Sequence, residues 1–453
     1  MLRRKVTERF AAWRNSSHKA LLVTGARQIG KSFAIREFGR SAFGTYFEAN
    51  LSLDADARET LVGSRNAMDF INRVALLSRV PLVEGDTLIF IDEIQEYPEI
   101  VTLAKALVED GRYRYAFSGS MLGTEFKGVT SFPVGYVEHI VMRPMDFEEF
   151  CWAVGVGEGP IGDVRACLHS ERAVDSYLHE AFLRNFRAYL VAGGMPEVVQ
   201  SYVDGGYSLA DTRRLQTDLV GQYAQDISKY AGSRALEVRN IFDLLPAQLE
   251  EDPHRFVFAE ISEGGRYKTY DHDFLWLVNA GVGLLVRQAS EAKAPLRRTE
   301  VAESFKLYQS DTGMLLSRYP QSTARAVYLD RKDQNLGGIY ENAVAQELAA
   351  AGIPLWYYSA SGVGEVDFLM EGRRSRVVPI EVKSGRKVRS HAALNRLLDV
   401  GEYKIRDAIV LSRNNLSREG RILYAPLYMA FCLDELVEPR DGDDFTFAPA
   451  PLR

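Results

Sequence analysis

The octet Gly25-Ala-Arg-Gln-Ile-Gly30-Lys31-Ser32 decides the fold, because it joins the apolar run ALLVTG (20–25) to a helical pattern. A glycine-rich loop between a strand and a helix presents successive backbone N–H groups, and the positive end of the helix strengthens their attraction for phosphate. Lys31 is placed to reach the β- and γ-phosphate oxygens, and Ser32 to give its hydroxyl to a magnesium ion. The stretch therefore predicts a nucleotide-phosphate site on a parallel α/β sheet.

An acidic pair ends a second strongly apolar run, TLIFIDEIQ (87–95). The carboxyl ends of parallel strands meet at one edge of a sheet, so Asp92 and Glu93 are expected to face the same phosphates. Asp92 is predicted to hold Mg²⁺ through water, and Glu93 to act as the general base that polarises the attacking water. The predicted nucleotide contacts are Gly25, Ala26, Arg27, Gln28, Ile29, Gly30, Lys31, Ser32, Phe33, Asp92 and Ser118.

Two further features near this edge have two interpretations each. Ser118 and Ser120 end the run YRYAFSGS (113–120), where they either sense the γ-phosphate or simply form a turn. Arg143 follows the run EHIVM (138–142), and it either stabilises transition-state charge or pairs with an acid on the surface.

Composition narrows the class of protein. The chain has 453 residues, too many for one ordinary core, and its 46% hydrophobic and 26% charged residues are typical of a folded protein with two to four domains. The net charge of −6 provides no overall attraction for nucleic acid, so such binding would need a local basic face. Cys151, Cys167 and Cys432 lack the spacing of a disulfide framework or a zinc site, which favours a reducing cytoplasm. No apolar run approaches the roughly 18 residues of a membrane helix, so no membrane partner is expected.

The rest of the chain divides by pattern. The basic N-terminus reads as an amphipathic helix with Val6, Phe10 and Trp13 on one stripe, which we expect to pack on the core rather than to bind a membrane or nucleic acid. Residues 148–230 are mostly helical, interrupted by the turn GGMPE (193–197). Two helical stretches and a strand pair then indicate a winged helix, and strands alternate with helices again from FKLYQSD (305–311) onward.

Several segments beyond these motifs resemble a bacterial and archaeal family, the AAA-type ATPases that carry a C-terminal domain of unknown function. They are SGSMLG (118–123), PMDFEEF (144–150), YLVAGGMPEVV (189–199), FKLYQSDTGML (305–315) and GGIYENAVAQEL (337–348). The resemblance implies an ATP- and Mg²⁺-dependent ATPase core, a winged helix and a C-terminal domain similar to PD-(D/E)XK nucleases. Members usually have Gly-Arg where this chain has Gly135-Tyr136, so no arginine is expected to assist catalysis there.

The predicted architecture is thus α/β throughout, with four parts in order. They are a P-loop ATPase core with a parallel sheet (1–150), a helical lid (151–230), a winged helix (231–303) and an α/β restriction-endonuclease-like domain (304–453). In the winged helix, Arg266, Lys268, Tyr270 and His272 flank a helix whose apolar side is Phe274, Leu275, Leu277 and Val278. Such a helix either enters a DNA groove or packs on the core.

The C-terminal run VVPIEVKS (377–384) places Glu381 and Lys383 on one strand face. Asp367, in the preceding strand of the expected hairpin, can reach the same point. These oxygen donors suit Mg²⁺, which Asp367 and Glu381 would bind, while Lys383 would orient water. Glu341, on the preceding helix, would be either an accessory ligand or an orienting group. The competing interpretation is an ordinary amphipathic hairpin with a solvated charged face. From Glu371 to Arg396 there are eight Lys or Arg against two Glu, which suits a phosphodiester substrate.

Three hypotheses of function follow. The leading one is an ATPase that controls a metal-dependent nuclease acting on DNA. The alternative is a nucleotide switch of the signalling or scaffold class, whose C-terminal domain binds a partner or DNA without cutting it. The third is a chaperone-like remodeller, for which the sequence offers no convincing pore loop. Because arginine fingers act across subunits in many such ATPases, a homo-oligomer is also considered.

Overall fold

The computed structural model describes residues 2–120, 135–251, 256–261, 267–331, 336–372, 376–385 and 388–437. The described helices are α1 (Val6–Ser16), α2 (Lys31–Ala42), α3 (Ala55–Leu61), α4 (Ala67–Leu77), α5 (Ile100–Asp110), α6 (Phe147–Ala153), α7 (Glu158–Ser170), α8 (Ser176–Ala192), α9 (Pro196–Asp204), α10 (Leu209–Tyr230), α11 (Ala235–Gln248), α12 (Tyr267–Asn279), α13 (Thr312–Ser317), α14 (Gln321–Tyr328), α15 (Gly337–Ala350), α16 (Ala392–Leu398) and α17 (Asp434–Val437). The described strands are β1 (Ala20–Gly25), β2 (Thr45–Asn50), β3 (Thr87–Asp92), β4 (Arg114–Ser120), β5 (Val137–Val141), β6 (Gly283–Ala289), β7 (Glu300–Gln309), β8 (Trp356–Ala360), β9 (Gly364–Gly372), β10 (Arg376–Val382), β11 (Ala408–Ser412), β12 (Ser417–Glu419) and β13 (Ile422–Pro426).

The chain divides into two compact units, each assembled from separate stretches of sequence. The first unit contains residues 1–157, 187–285 and 306–334, and the second contains residues 158–186, 286–305 and 335–453. The four predicted domains do not coincide with these units. Residues 158–186, assigned above to the helical lid, fall in the second unit, while residues 306–334 fall in the first.

The first unit is built on a five-stranded sheet in the order β2-β3-β4-β1-β5, in which every neighbouring pair is parallel. The predicted parallel sheet is therefore confirmed. Strands β1 and β3 are buried along their whole length, as expected for a sheet covered by helices on both faces. The register Gly25↔Ser120 places the carboxyl ends of β1 and β4 side by side, at the edge where the site lies.

Helix α1 packs by its apolar stripe, as the sequence predicts. Val6, Phe10 and Trp13 are buried, and the ring of Phe10 lies 5.6 Å from that of Phe38 in α2. The residues just before α1 are fixed as well, since the Arg4 side chain donates to Glu149 in α6 at 3.0 Å. The basic N-terminus thus belongs to the core of the first unit.

A buried junction joins three of the family-like segments, and we call Met145, Gly193, Gly194, Gln216, Asp311 and Gly313 the glycine node. The Met145 N–H donates to the Gly194 carbonyl at 2.7 Å, and the Gly194 N–H donates to the Asp311 carboxylate. Gln216 in α10 donates to the carbonyls of residues 191 and 192 at 2.8 and 2.9 Å. The predicted GGMPE turn is confirmed, because Gly193 has φ +74° after α8 and Pro196 begins α9. The node therefore fixes α10 to the end of α8.

The sheet that dominates the second unit has eight strands in the order β12-β13-β11-β10-β9-β8-β6-β7, with parallel and antiparallel pairs. Strand β6 joins it through the parallel pair Gln288↔Tyr357. The sequence pattern predicts β6 as part of a winged helix, but its ladder to β8 is a long-range pairing that local patterns do not reveal. Among the described residues, no helix is both long and apolar enough to cross a membrane.

Candidate functional site

The predicted phosphate loop lies between β1 and α2, in a conformation that needs its glycines. Gly25 has φ +154°, and a Cβ atom there would lie 2.2 Å from the carbonyl oxygen of Met142, which excludes any side chain. Gln28 and Gly30 have φ +61° and +86°, in the left-handed region. Gly30 directly precedes α2 and provides no side-chain cap, so the first N–H groups of the helix keep their capacity to bind an anion. The loop thus has the strand, left-handed turn and helix start that the sequence predicts.

Lys31 is the first residue of α2, and its side chain bends back over the loop. Its Nζ donates to the carbonyl oxygens of Gly25 and Ala26 at 3.2 and 2.8 Å. Burial lowers the pKa of Lys31 to about 8, although Glu93 and Asp92 raise it in part. A buried ammonium that donates to carbonyl oxygens can donate instead to phosphate oxygens, which are charged and therefore stronger acceptors.

Asp92 ends β3 as predicted, and it is 2% exposed. Its carboxylate accepts from Asn50 Nδ2 at 2.8 Å and from the hydroxyl of Ser118 in β4. The structure thus brings Ser118 to Asp92, so its direct contact is with the predicted magnesium ligand. Ser120 lies beside Gly25 in the ladder of β1 and β4.

Glu93 directly follows Asp92 and has an unusual backbone. Its φ of +57° lies in the left-handed region, which non-glycine residues rarely adopt outside turns and functional sites. The Glu93 carboxylate accepts from the side chain of Gln95, which fixes its orientation. Sequence reasoning found Glu93 but missed Gln95, because no motif in TLIFIDEIQ separates this glutamine from an ordinary loop residue.

The remaining predicted residues of this site are also placed. Ser32 is half-buried in the first turn of α2, and Phe33 beside it is 49% exposed. Arg143 follows β5, and burial lowers the pKa of its guanidinium. Tyr136 precedes β5 at the opposite edge of the sheet from the loop, where its hydroxyl donates to Glu109. An arginine at position 136 would therefore lie far from the loop of its own chain.

Helix α10 contacts the loop through residues that sequence reasoning missed. The Arg27 guanidinium pairs with Asp226 and donates to the hydroxyl of Tyr230 at 3.0 Å. The Tyr223 hydroxyl donates to the carbonyl of Arg27 at 2.8 Å. Burial raises the pKa of Asp226, and Arg27 opposes that effect. Nothing in the local sequence pairs residue 27 with α10, because the contact spans 196 residues.

The residues present fit ATP and a magnesium ion. The glycine-rich loop leads into the N-terminus of α2, Lys31 supplies a cation, and Ser32 and Asp92 supply hard oxygen donors of the kind that Mg²⁺ prefers. Glu93 lies next to them with its carboxylate held by a neighbour.

In the second unit, two of the predicted carboxylates lie opposite each other on the neighbouring strands β9 and β10. The antiparallel register pairs Ile380 with Phe368, so Asp367 lies opposite Glu381 one step further on. Asp367 accepts from the Val382 N–H at 2.7 Å, and Lys383 donates to Glu381 at 2.6 Å. Glu381 is only 6% exposed, which argues against the solvated strand face of the competing interpretation.

The charges of all three predicted acids act on the Lys383 ammonium. Burial lowers its pKa, but the charges of Glu381, Asp367 and Glu341 outweigh this and raise the pKa above its ordinary value. Glu341 lies in the buried helix α15. Within the described residues, no group of three or more His, Cys, Asp or Glu side chains is arranged to hold a metal ion. Since Mg²⁺ in phosphate-processing sites commonly uses one or two carboxylates plus substrate oxygens, Asp367 and Glu381 still suit it.

The structure describes only part of the cation-rich stretch 371–396 and of the segment around the helix predicted to enter a DNA groove. Of the eight cations between residues 371 and 396, four lie outside the described residues, while Arg376 pairs with Asp407 and Arg389 with Glu419. Arg266 of the proposed groove helix is also outside them. Tyr270 is 5% exposed, so it is a core residue and not a groove contact, and Leu275, expected in the apolar face, is 37% exposed.

Comparisons with protein families match three successive parts of the chain. Residues 17–151 match an AAA domain, residues 183–323 match a domain of unknown function (DUF8612), and residues 336–429 match another domain of unknown function (DUF4143). Among curated proteins, none matches this sequence.

Several solved structures are remotely similar to this chain. The Walker-type ATPase PABY2304 of Pyrococcus abyssi is 13% identical with a TM-score of 0.41, over 70% of this chain and 96% of that chain. The ORC1 protein of Aeropyrum pernix, solved in complex with DNA, is 12% identical with a TM-score of 0.30, over 73% of this chain and 93% of that chain. Cdc6p of Pyrobaculum aerophilum is 10% identical with a TM-score of 0.24, over 72% of this chain and 91% of that chain. The assignment depends on the domain match and the loop together: residues 17–151 form an AAA-type P-loop ATPase domain.

Proposed function

We propose that the first unit binds ATP with Mg²⁺ in the loop formed by residues 25–32 and hydrolyses it. The observation that carries this proposal is the meeting of Lys31, Asp92 and Glu93 at the carboxyl edge of the sheet, since the charge of both acids acts on the Lys31 ammonium. Few other functions need a cation, a metal ligand and a base at one glycine-rich turn.

The loop N–H groups and Lys31 orient the triphosphate and neutralise its charge. Mg²⁺, held by Ser32 and by Asp92 through water, would polarise the phosphate oxygens when bound. Glu93 accepts a proton from water as the water oxygen bonds to the γ-phosphorus and the bond to the β–γ bridging oxygen breaks. Gln95 keeps the Glu93 carboxylate in place, and Ser118 and Asn50 keep that of Asp92.

Calorimetric titration with ATP in the presence of Mg²⁺ tests the binding step. Lys31→Ala is expected to weaken ATP binding by at least about 100-fold, because it removes a buried charge-assisted contact to phosphate. Lys105→Ala is the matched control, because Lys105 is exposed on α5. Equal affinities of Lys31→Ala and the wild type would contradict the proposed site.

For the second unit we propose a metal-dependent cleavage of phosphodiester bonds in DNA. The contact of the buried Glu381 with the half-buried Lys383, opposite the half-buried Asp367, supports this, because burying a charged side chain is costly unless it serves a partner or a ligand. Asp367 and Glu381 would hold Mg²⁺, which would act as a Lewis acid on the phosphate oxygens. Lys383 would orient the attacking water, and Glu341 would be an accessory ligand or an orienting group.

Cleavage of single- and double-stranded DNA and RNA, with Mg²⁺ or Mn²⁺ and with or without ATP, tests this second activity. A Glu381→Ala, Lys383→Ala double variant is expected to lose all cutting that the wild type shows. If neither protein cuts while ATP is still bound, the chain is a nucleotide switch whose C-terminal part binds a partner or DNA. Binding of DNA by the α11–α12 helices and assembly into a homo-oligomer are parts of the same proposal, and gel shift and sedimentation measurements test them.

A further inference from the structure

The phosphate loop has two anchors that lie outside it in the sequence. The Tyr223 hydroxyl of α10 donates to the Arg27 carbonyl at 2.8 Å. The Arg4 Nη1 donates to the Ile29 carbonyl at 3.0 Å. These two carbonyls are separated by a single peptide group, so the anchors hold alternate peptide planes of the loop.

Fixing a carbonyl also fixes the N–H that follows it. Because the peptide group is planar and trans, its C=O and N–H bonds point in opposite directions. Tyr223 therefore directs the Gln28 N–H away from α10, and Arg4 directs the Gly30 N–H away from the N-terminal segment. Gln28 and Gly30 have left-handed backbone conformations, with φ of +61° and +86°. Such a conformation is costly for Gln28 unless neighbours support it.

Both anchors are themselves held rigidly. The Arg4 guanidinium also donates to Glu149 at 3.0 Å and to the Arg143 carbonyl at 2.7 Å, and its side chain is 10% exposed. Tyr223 is 7% exposed, and burial raises the pKa of its hydroxyl, which therefore remains a donor at neutral pH. Its helix is fixed to the glycine node through Gln216.

We propose that Tyr223 and Arg4 are positioning residues of the nucleotide site, which aim the N–H groups of Gln28 and Gly30 at the β-phosphate. This inference rests on the proposed ATP site and adds two residues to it. Residues that hold the loop in this conformation reduce the part of the binding energy that is used to order it.

Tyr223→Phe removes only the hydroxyl. Tyr207→Phe is its control, because Tyr207 lies just before the same helix, is 51% exposed and is outside the proposed site. Titrations with ADP are expected to show an affinity about three- to tenfold weaker for Tyr223→Phe, the effect of one hydrogen bond. The Tyr207→Phe variant is expected to stay within about twofold of the wild type on the same scale.

AMP separates positioning from general loosening. It has no β-phosphate, so competition against a fluorescent ADP analogue is expected to give the same AMP affinity for Tyr223→Phe and the wild type. Equal losses for ADP and AMP, or no loss for ADP, would overturn the proposal. A wild type that binds neither ADP nor ATP would instead remove the proposed function on which it rests.

Arg4→Lys provides a second variant, which keeps a cation beside the buried Glu149 and so protects folding. It is expected to weaken ADP binding but not AMP binding, whereas Arg3→Lys, which changes the neighbouring residue 51% exposed to solvent, leaves both unchanged. Equal effects of the two arginine variants on ADP would count against the role of Arg4.

Discussion

The chemistry of the nucleotide site depends most on Lys31. Its ammonium is buried, and it donates to carbonyl oxygens of its own loop. Burial lowers its pKa to about 8, so a measurable fraction of the protein loses this charge in mildly alkaline solution. Phosphate oxygens stabilise the protonated form, which makes nucleotide binding sensitive to pH.

The affinity for ADP is therefore expected to fall as pH rises through about 8. Bound phosphate raises the pKa of Lys31 above its value in the free protein. The contribution of Lys31 to ADP affinity is therefore complete at pH values below the pKa of the free protein. Above that pKa the affinity falls by up to about tenfold per pH unit. Titrations from pH 7 to 9.5 measure this. In a Lys31→Arg variant the guanidinium stays charged, so its affinity should be flat with pH. A flat profile for the wild type would contradict the buried state of Lys31.

Single residues also show where sequence reasoning succeeds. Lys31, Asp92 and Glu93 were predicted because the spacing of strand, loop and helix fixes their positions. Ser118 was predicted near the phosphates, yet its direct partner is Asp92. Tyr223 and Arg4 were not predicted, because an isolated tyrosine on a helix or an arginine near a terminus has many uses and no motif.

Among the elements, α10 has the central position in the first unit. Its middle is fixed at the glycine node through Gln216, and its last turns contact the phosphate loop through Tyr223 and Asp226. The node is tightly packed, since a Cβ atom on Gly194 would lie 2.0 Å from the carbonyl oxygen of Met145. Packing at the node thus determines where α10 stands.

Gly194→Ala is expected to destabilise the first unit by about 1 to 3 kcal/mol, the range for overpacking a closed core. The control is Gly221→Ala on the exposed face of α10, where an added Cβ meets nothing within 4 Å. It should stabilise the protein by about 0.5 to 1 kcal/mol, because alanine favours the helix. Chemical denaturation of both variants measures the difference. Equal stabilities would show that the node tolerates a side chain.

Elements formed by local patterns were predicted well, and those formed by distant pairing were not. Strands β1, β3, β4 and β5 of the first sheet follow from the apolar runs of the sequence. The hairpin of β9 and β10 follows from alternation around Asp367 and Glu381. The pairing of β6 with β8 joins residues near 288 and 357, and a hydrophobic pattern alone cannot select that partner among the other buried strands.

On the scale of the whole molecule, each compact unit is assembled from three separate stretches of the chain. The chain leaves and re-enters each unit more than once. Contiguous domain boundaries drawn from composition cannot represent this, because burial depends on contacts and not on position along the chain. Residues 158–186 have an ordinary helical pattern, yet within the second unit Val174 exchanges two hydrogen bonds with Asn415.

The leading hypothesis is that an ATPase controls a nuclease on the same chain. If ATP controls cleavage, the Lys31→Ala variant should lose the ATP dependence of cutting while its carboxylate site is unchanged. If the chain is a switch, ATP should change the binding of a partner or DNA without any cutting.

ATP turnover by the purified chain with Mg²⁺ tests the central claim most directly, compared between the wild type and Glu93→Gln. We expect the variant to bind ATP within about threefold of the wild type, because Glu93 acts on water and not on the phosphate grip. Its turnover should fall by at least about 100-fold, the usual contribution of a general base. Turnover by Glu93→Gln equal to that of the wild type, or a wild type that binds ATP without hydrolysing it, would contradict the account.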